Sequence, residues 1–368
     1  MTNNQPAPEE QAPEKMQSIQ NLKGEVAFRR LLSRQHVTGE VLLPDYFGKD
    51  EHDAILAGRV ETTRRDMKRL ASQGVSLSPF VELGAERCHR AMVLVNEMGA
   101  AGIAADISLD QLRTARHFAS LFGWRNLPLR VCCDVNHLPI RNRAVPFVFC
   151  YEFLHHFPDI KPVVEQVHRI LADGHFYFSE EPFKRPRVRL YRQRAKIYAK
   201  HVLRRSKIVR TLEKFISEPW SDELEHGIVE NDRISIAEWI EALAVFDEKS
   251  VRLASVGGRI TSRLEAKIRL ANLPNRLLGG GIAGLCRKKD DFPPSVPGQM
   301  TDLLLCPDCL AAARNSQALS PNWESSPDSI RCAACGSVYP IVDEVVLLLE
   351  RGLFKNLYPE HVAGRRSP

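Results

Sequence analysis

Ser78-Pro79-Phe80-Val81-Glu82-Leu83-Gly84-Ala85-Glu86-Arg87-Cys88 begins as a short apolar strand and breaks at a glycine. Phe80 to Leu83 read as a buried strand. Gly84 has no Cβ to clash at positive φ, so it permits a tight turn. From His89 to Met98, Ala91, Met92, Leu94 and Val95 recur at helical spacing, and Gly99 and Gly102 break the run. Gly102-Ile103-Ala104-Ala105-Asp106-Ile107-Ser108 then supplies a second strand ending on a carboxylate, Asp106. Strand, glycine turn, helix and acid-ended strand make the nucleotide-binding half of a doubly wound sheet. In such a half the turn lets a ligand approach the backbone. The terminal acid can accept hydrogen bonds from both ribose hydroxyls. The dinucleotide fingerprint G-x-G-x-x-G is not met.

Three more strands follow. Val131 onward forms a third that reaches Asp134-Val135, with Leu138-Pro139 in the loop beyond. Pro146 to Glu152 form a fourth, leading into His155-His156, and a helix runs from about Ile160 to Leu171. His175 to Ser179 form a fifth before Glu180-Glu181-Pro182. The ordered series Glu82-Leu83-Gly84, Ala104-Ala105-Asp106-Ile107-Ser108, Asp134 with Leu138-Pro139, His155-His156 and Arg169-Ile170-Leu171-Ala172-Asp173-Gly174 resembles the class I S-adenosylmethionine-dependent methyltransferases. The branch it resembles most is that of the ubiquinone/menaquinone-biosynthesis methyltransferases. The resemblance spans roughly residues 75 to 182 and more faintly continues to 288. It implies a Rossmann-like α/β fold with a seven-stranded sheet and S-adenosyl-L-methionine as cofactor. It also implies cofactor contacts from Glu82, Gly84, Asp106, Asp134, Val135 and Tyr151. The family carries further glycines where this chain has Glu86 and Cys88. Two outcomes follow from that departure: a loop that still binds the cofactor, or a degenerate site that does not.

The chain has 368 residues, enough for a full α/β domain and a small second one. Lys and Arg number 51 against 45 Asp and Glu, and a net charge of +6 does not by itself imply nucleic acid. Four of the nine cysteines sit in metal-type pairs and the others in apolar strand contexts, which fits a reducing, cytoplasmic setting. No apolar run is long enough to span a bilayer, and the N-terminus lacks the pattern of a secretory signal. Residues 1–20 read as a disordered tail and 21–74 as an N-terminal helical cap. Its helix from Asp50 to Gln73 stops at Gly74, and in the resembling family a helix here covers the cofactor. Residues 75–289 read as the methyltransferase domain. Within it, 184–248 form a basic and then acidic helical insertion where the family places substrate-binding elements. Tyr191, Ala195, Tyr198, Val202, Val209, Leu212 and Ile216 share one helical stripe among the arginines and lysines of 184–214. That stretch is either a solvated face or a surface for an anionic membrane, an anionic intermediate or RNA. Val251 to Val256 read as a sixth strand and Gly279 to Lys288 as a seventh, antiparallel at the sheet edge. A linker at 290–300 leads to a domain at 301–352, and 353–368 read as a tail.

Cys306-Pro307-Asp308-Cys309 and Cys332-Ala333-Ala334-Cys335-Gly336 are two C-x-x-C knuckles. Each presents two thiolates from one tight turn, which suits a tetrahedral zinc (Zn2+) ribbon. Four thiolates leave no open position, so the site reads as structural, and metal binding there would also be folding energy. The run from Cys332 to Leu349 resembles the small zinc-ribbon activators that partner methyltransferases acting on tRNA, rRNA and translation factors. Those read "YPIxDGIP", whereas this chain has Glu344-Val345-Val346 in place of the last three. The proline-rich linker predicts a ribbon that folds separately from the cofactor domain.

Candidate acceptor-side groups lie at the carboxyl ends of strands four and five: Tyr151, Glu152, His155, His156, Glu180 and Glu181. His156 and Glu181 rank first, then His155. The leading function is methyl transfer to a small-molecule, glycan-intermediate or lipid-linked acceptor. The competing readings are a methyltransferase acting on RNA or protein, and a non-catalytic scaffold of the same fold.

Overall fold

A computed structural model of the chain describes residues 13–43, 46, 48–183, 191–194, 217–220, 222–229, 231, 234–254, 260–263, 280–291, 297–313 and 322–364. Two long helices come first, α1 (Pro13–Thr38) and α2 (Lys49–Ser72). The expected tail at 1–20 is thus helical from Pro13 onward. The strands β1 (Phe80–Leu83), β2 (Gly102–Asp106), β3 (Leu129–Cys132), β4 (Val145–Tyr151) and β5 (Leu171–Phe183) pair in parallel in the order β3-β2-β1-β4-β5. Helices α3 (His89–Glu97), α4 (Leu109–Arg113), α5 (Ala115–Leu121) and α6 (Lys161–Ile170) make the crossovers. All four residues of β1 and all seven of β4 are buried. That is why both read as unbroken apolar runs rather than alternating ones: helices cover both faces of a parallel sheet.

Beyond β5 the chain returns to the sheet. A separate parallel pair, β6 (Tyr191–Arg194) and β7 (Ser217–Trp220), lies in the inserted region. Residues 191–194 are therefore strand, not helix, and the rest of the expected basic helix at 184–214 falls outside the described residues. Then come β8 (Glu248–Ala254), β9 (Ile260–Arg263) and β10 (Gly280–Lys288). The seventh strand of the sequence reading, β10, does not lie at the edge. It runs antiparallel between β5 and β8, so both of its backbone edges are paired.

Among the described residues the sheet holds twelve strands, not seven. The additional ones come from β9 at one side and from the cysteine-rich region at the other: β11 (Trp323–Ser325), β12 (Ser329–Cys332), β13 (Val338–Val342) and β14 (Val345–Leu347). β14 pairs in parallel with β3, register Val345 to Arg130, Val346 to Val131 and Leu347 to Cys132. Ile140 bridges Leu304, and the Leu348 N–H donates to the Cys132 carbonyl at 2.8 Å. The ribbon, expected to fold separately beyond the linker, continues the main sheet through the pairing of β14 with β3. Asp290, at the start of the expected linker, has a buried side chain that pairs with Arg143 at 2.7 Å. Residues 292–296 lie outside the described residues.

The turn between β13 and β14 explains the departure from "YPIxDGIP". Asp343 and Glu344 both take positive φ, 49° and 63°, as a two-residue hairpin turn demands. Glu344 does so without a glycine, and its carboxylate meets Arg130 of β3 at 2.7 Å and Arg116 of α5. The expected tail from 353 is instead a helix, Arg351–Leu357, with Phe354, Leu357 and Tyr358 buried against the sheet. One core cluster joins β4 and α6 to Ile330, Tyr339 and Val346 of the ribbon. The other joins β1 and α3 to Val345, Leu347 and Phe354. No described helix is long and apolar enough to cross a membrane.

Candidate functional site

The carboxyl ends of β1 to β5 open on one crevice, as in doubly wound sheets generally. Gly84 sits at φ 64°, and a Cβ there would lie 2.2 Å from the Phe153 ring. Glu86 and Cys88 follow at φ 46° and 59°. The turn therefore keeps the backbone shape that glycines would give it, at positions where side chains rarely adopt it. The Cys88 side chain is buried in the core, away from the crevice. The Glu86 carboxylate stays part-exposed, 3.3 Å from Arg29 of α1 and 3.2 Å from Arg59 of α2.

Asp106 is tied to the same turn. Its Oδ2 accepts the Glu86 N–H and its Oδ1 the Ser108 N–H, both at 2.8 Å. Each carboxylate oxygen keeps a second lone pair for a ligand hydroxyl. Burial pushes the Asp106 pKa up to about 6. Glu82 is buried deeper, accepts the Ala91 N–H of α3 at 3.0 Å, and is pushed by burial to about 8. Asp134 ends the third strand region, where it accepts Asn136 N–H at 2.9 Å and contacts His137 Nδ1 at 3.0 Å. The next residue, Val135, is buried and begins a 3-10 turn that runs to His137.

Tyr151 ends β4 with its hydroxyl donated to Asp66 of α2 at 3.3 Å, and Tyr177 donates to the same carboxylate at 2.8 Å. The Arg90 guanidinium lies 4.3 Å from the Tyr151 ring centroid and 3.3 Å from Glu180. Glu152 and Glu180 both adopt positive φ, 48° and 62°, and Glu152 pairs with Arg59 at 2.7 Å. Helices α1 and α2 thus roof the crevice through Arg29, Arg59 and Asp66. These three, with Arg90, were absent from the sequence reading. For Arg59 the sequence holds a signal, the arginines Arg59, Arg64, Arg65 and Arg69 along the helix from Asp50 to Gln73, but it names no partner for them.

Glu181 does a different job from the acceptor-side one expected. It is fully buried, and its carboxylate accepts the N–H groups of Phe153, Leu154 and His155 at 2.7, 3.0 and 3.3 Å. The His155 ring closes on it at 2.9 Å. Burial alone would raise the pKa, but the His155 hydrogen bond and charge, with the loop amides, pull it below the usual carboxylate value. Glu181 and His155 therefore hold the loop after β4. His156 donates Nδ1–H to the Val229 carbonyl at 3.2 Å and is held neutral, near pKa 4, by burial and by His155.

In the ribbon, Cys306, Cys309, Cys332 and Cys335 bring their sulfurs within 4.8 Å of one another. Sulfur separations are 3.5 Å for Cys306 to Cys335 and 3.8 Å for Cys309 to Cys332. Zn–S bonds near 2.3 Å in a tetrahedron put sulfurs about 3.8 Å apart, so the set fits zinc and is far too open for disulfides. Around the set, the Tyr339 hydroxyl lies 3.1 Å from Cys306 sulfur, and Asp308 accepts Ser337 Oγ–H at 2.6 Å and Arg351 N–H at 2.8 Å. The first knuckle is thereby tied to the second and to the C-terminal helix. Just past that helix, the Tyr358 hydroxyl donates to the Ile107 carbonyl at 2.6 Å and accepts the Leu109 N–H at 2.9 Å. The loop that follows Asp106 is thus gripped from the end of the chain.

Residues 81–178 match a family profile described as a methyltransferase domain. Over those residues the chain is similar to a methyltransferase domain. Its sheet order and acid-ended strands agree with the class I arrangement. No curated protein matches the chain. Similar solved structures include a complex of the Trm112 methyltransferase activator with a methyltransferase from Haloferax volcanii, 17% identical, TM-score 0.36, covering 68% of this chain and 97% of that one. A SAM-dependent methyltransferase of Thermotoga maritima is 13% identical, TM-score 0.37, over 65% of this chain and 94% of that one. The PH0226 protein of Pyrococcus horikoshii is 14% identical, TM-score 0.38, over 63% and 91%.

The methyltransferase domain fits the nucleoside end of S-adenosylmethionine. Asp106 keeps free lone pairs, and Asp134 with Val135 lies at the end of the adjacent strand. Beside the same turn the Glu86 carboxylate stands between two arginines.

Proposed function

We propose that the chain transfers a methyl group from S-adenosylmethionine to a small-molecule acceptor, glycan intermediates and lipid-linked compounds included. The observation that carries the cofactor is the set of acids, Glu82, Asp106 and Asp134, at the ends of three adjacent parallel strands. The sulfonium supplies the activated methyl group when bound. The residues of this chain would hold the nucleoside, exclude water and align the acceptor. Asp106 is the ribose ligand in this reading, and Asp134 and Val135 border the base.

The roof supports the small acceptor. Arg29, Arg59 and Asp66 fasten two helices to the turn after β1 and to β4 and β5, and we read this fixed cover as suited to a small molecule. RNA remains the competing acceptor because 184–214 is rich in arginine and lysine. Retention of RNA that falls steeply with salt would favour it. Calorimetry with S-adenosylhomocysteine tests the cofactor reading directly, and a chain that fails to bind it is a scaffold rather than an enzyme. We assign zinc to the four cysteines as a structural ion, because four thiolates fill its coordination sphere.

A further inference from the structure

This inference rests on the crevice being an S-adenosylmethionine site, and it concerns the cofactor's amino-acid end. Arg29 and Arg59 come from two different helices, lie 57 and 27 residues from Glu86 in sequence, and converge on its two carboxylate oxygens. Glu86 accepts this arrangement at a left-handed φ of 46°, an unfavourable backbone for a side-chain-bearing residue. Burial alone would raise its pKa, yet Arg59, Arg29 and Arg87 hold it well below the usual carboxylate range. Arg29 also holds Glu25 and Arg59 also holds Glu152, each at 2.7 Å, and the guanidinium N–H groups that converge on Glu86 make the paired arrangement that recognises carboxylates in general. The cofactor carries one carboxylate, on its amino-acid end. The Glu86 N–H is bonded to Asp106, so the arginine pair lies beside the residue assigned to the ribose.

We propose that Arg29 and Arg59 form the binding site for the cofactor's amino-acid carboxylate, and that the Glu86 carboxylate occupies this site until the cofactor displaces it. Glu86 is then an internal competitor. Its removal strengthens binding of ligands that carry the amino-acid end and leaves those without it unchanged. Apparent affinity falls by the fraction of molecules in the open state, so a site held by Glu86 about nine-tenths of the time binds roughly tenfold more weakly than an open one.

The test compares S-adenosylhomocysteine with 5′-methylthioadenosine, the same nucleoside thioether without the amino-acid end, by calorimetry on the full chain. Glu86→Gln should tighten S-adenosylhomocysteine about tenfold and leave 5′-methylthioadenosine within about twofold. Glu86→Gly suits the left-handed backbone and serves as the second variant should the glutamine protein fail to fold. An unchanged ratio of the two affinities overturns the inference while leaving the cofactor reading intact. Weaker binding of S-adenosylhomocysteine alone also overturns it, by making Glu86 a ligand for the cofactor's ammonium group. Failure of both ligands to bind any version removes the cofactor reading and this inference together.

Discussion

Glutamate stands at four left-handed positions, Glu86, Glu152, Glu180 and Glu344, and at Glu86 and Glu344 the carboxylate is tied by arginines from two other elements. A left-handed side-chain-bearing residue costs roughly 1–2 kcal/mol, which paired and part-buried charges can offset. Asp106, bonded to the first of these turns, carries the ribose in the proposed function. Asp106→Ala should weaken S-adenosylhomocysteine by about 1.5–3 kcal/mol, the range for a hydrogen bond to a charged group. An unchanged dissociation constant in a direct titration would take the ribose away from β2. Glu82 makes a prediction about pH. Its folded pKa, near 8, lies above the ordinary carboxylate value of 4.5, so the folded chain keeps a proton that the unfolded chain releases between those values. Stability should therefore decline as pH rises from about 4.5 to 8 and level off above, by roughly 2–5 kcal/mol from this one group. Urea midpoints across that range, measured for the wild type and Glu82→Gln, check it: the glutamine variant should lose this part of the decline.

Among the elements, the loop after β4 owes its shape to one buried acid. Glu181→Ala would leave three amides and an imidazole without their partner, so it should cost about 3–5 kcal/mol of stability, as breaking a buried charged pair does. Urea denaturation reads that loss, and the marginal fold should fail before any effect confined to turnover appears. The strands β1, β2 and β4 were legible in sequence because each is a nearly unbroken apolar run, the pattern of strands covered on both faces. The position of β10 was not legible, since Gly280 to Lys288 reads the same at an edge as inside. The role of Glu181 was also hidden, because its partners lie 26 to 28 residues away and are mostly backbone amides. β14 did leave a trace: Val345-Val346-Leu347-Leu348-Leu349 is unbroken and all buried, which suits a strand inside a sheet better than the exposed edge of a small ribbon.

At the scale of the molecule, zinc and cofactor sites belong to one sheet. Cys332→Ser should lose zinc, and the damage should pass through β14 to β3 and, through Tyr358, to the loop after Asp106. S-adenosylhomocysteine affinity should fall with the metal, the reverse of what a ribbon on a free linker would give. Metal analysis paired with calorimetry on the variant measures both, and full affinity in a zinc-free protein would refute the coupling. The pairing of β14 with β3 also sets an order of events during synthesis. The β3 edge, with Val131 and Cys132 buried, is made more than two hundred residues before its partner. Until Val345 to Leu347 leave the ribosome, that edge is an open template for strands of other chains. A chain halted before Val345 should keep every residue of the methyltransferase profile and still aggregate, because the last strand to be made is the one that closes the first half of the sheet.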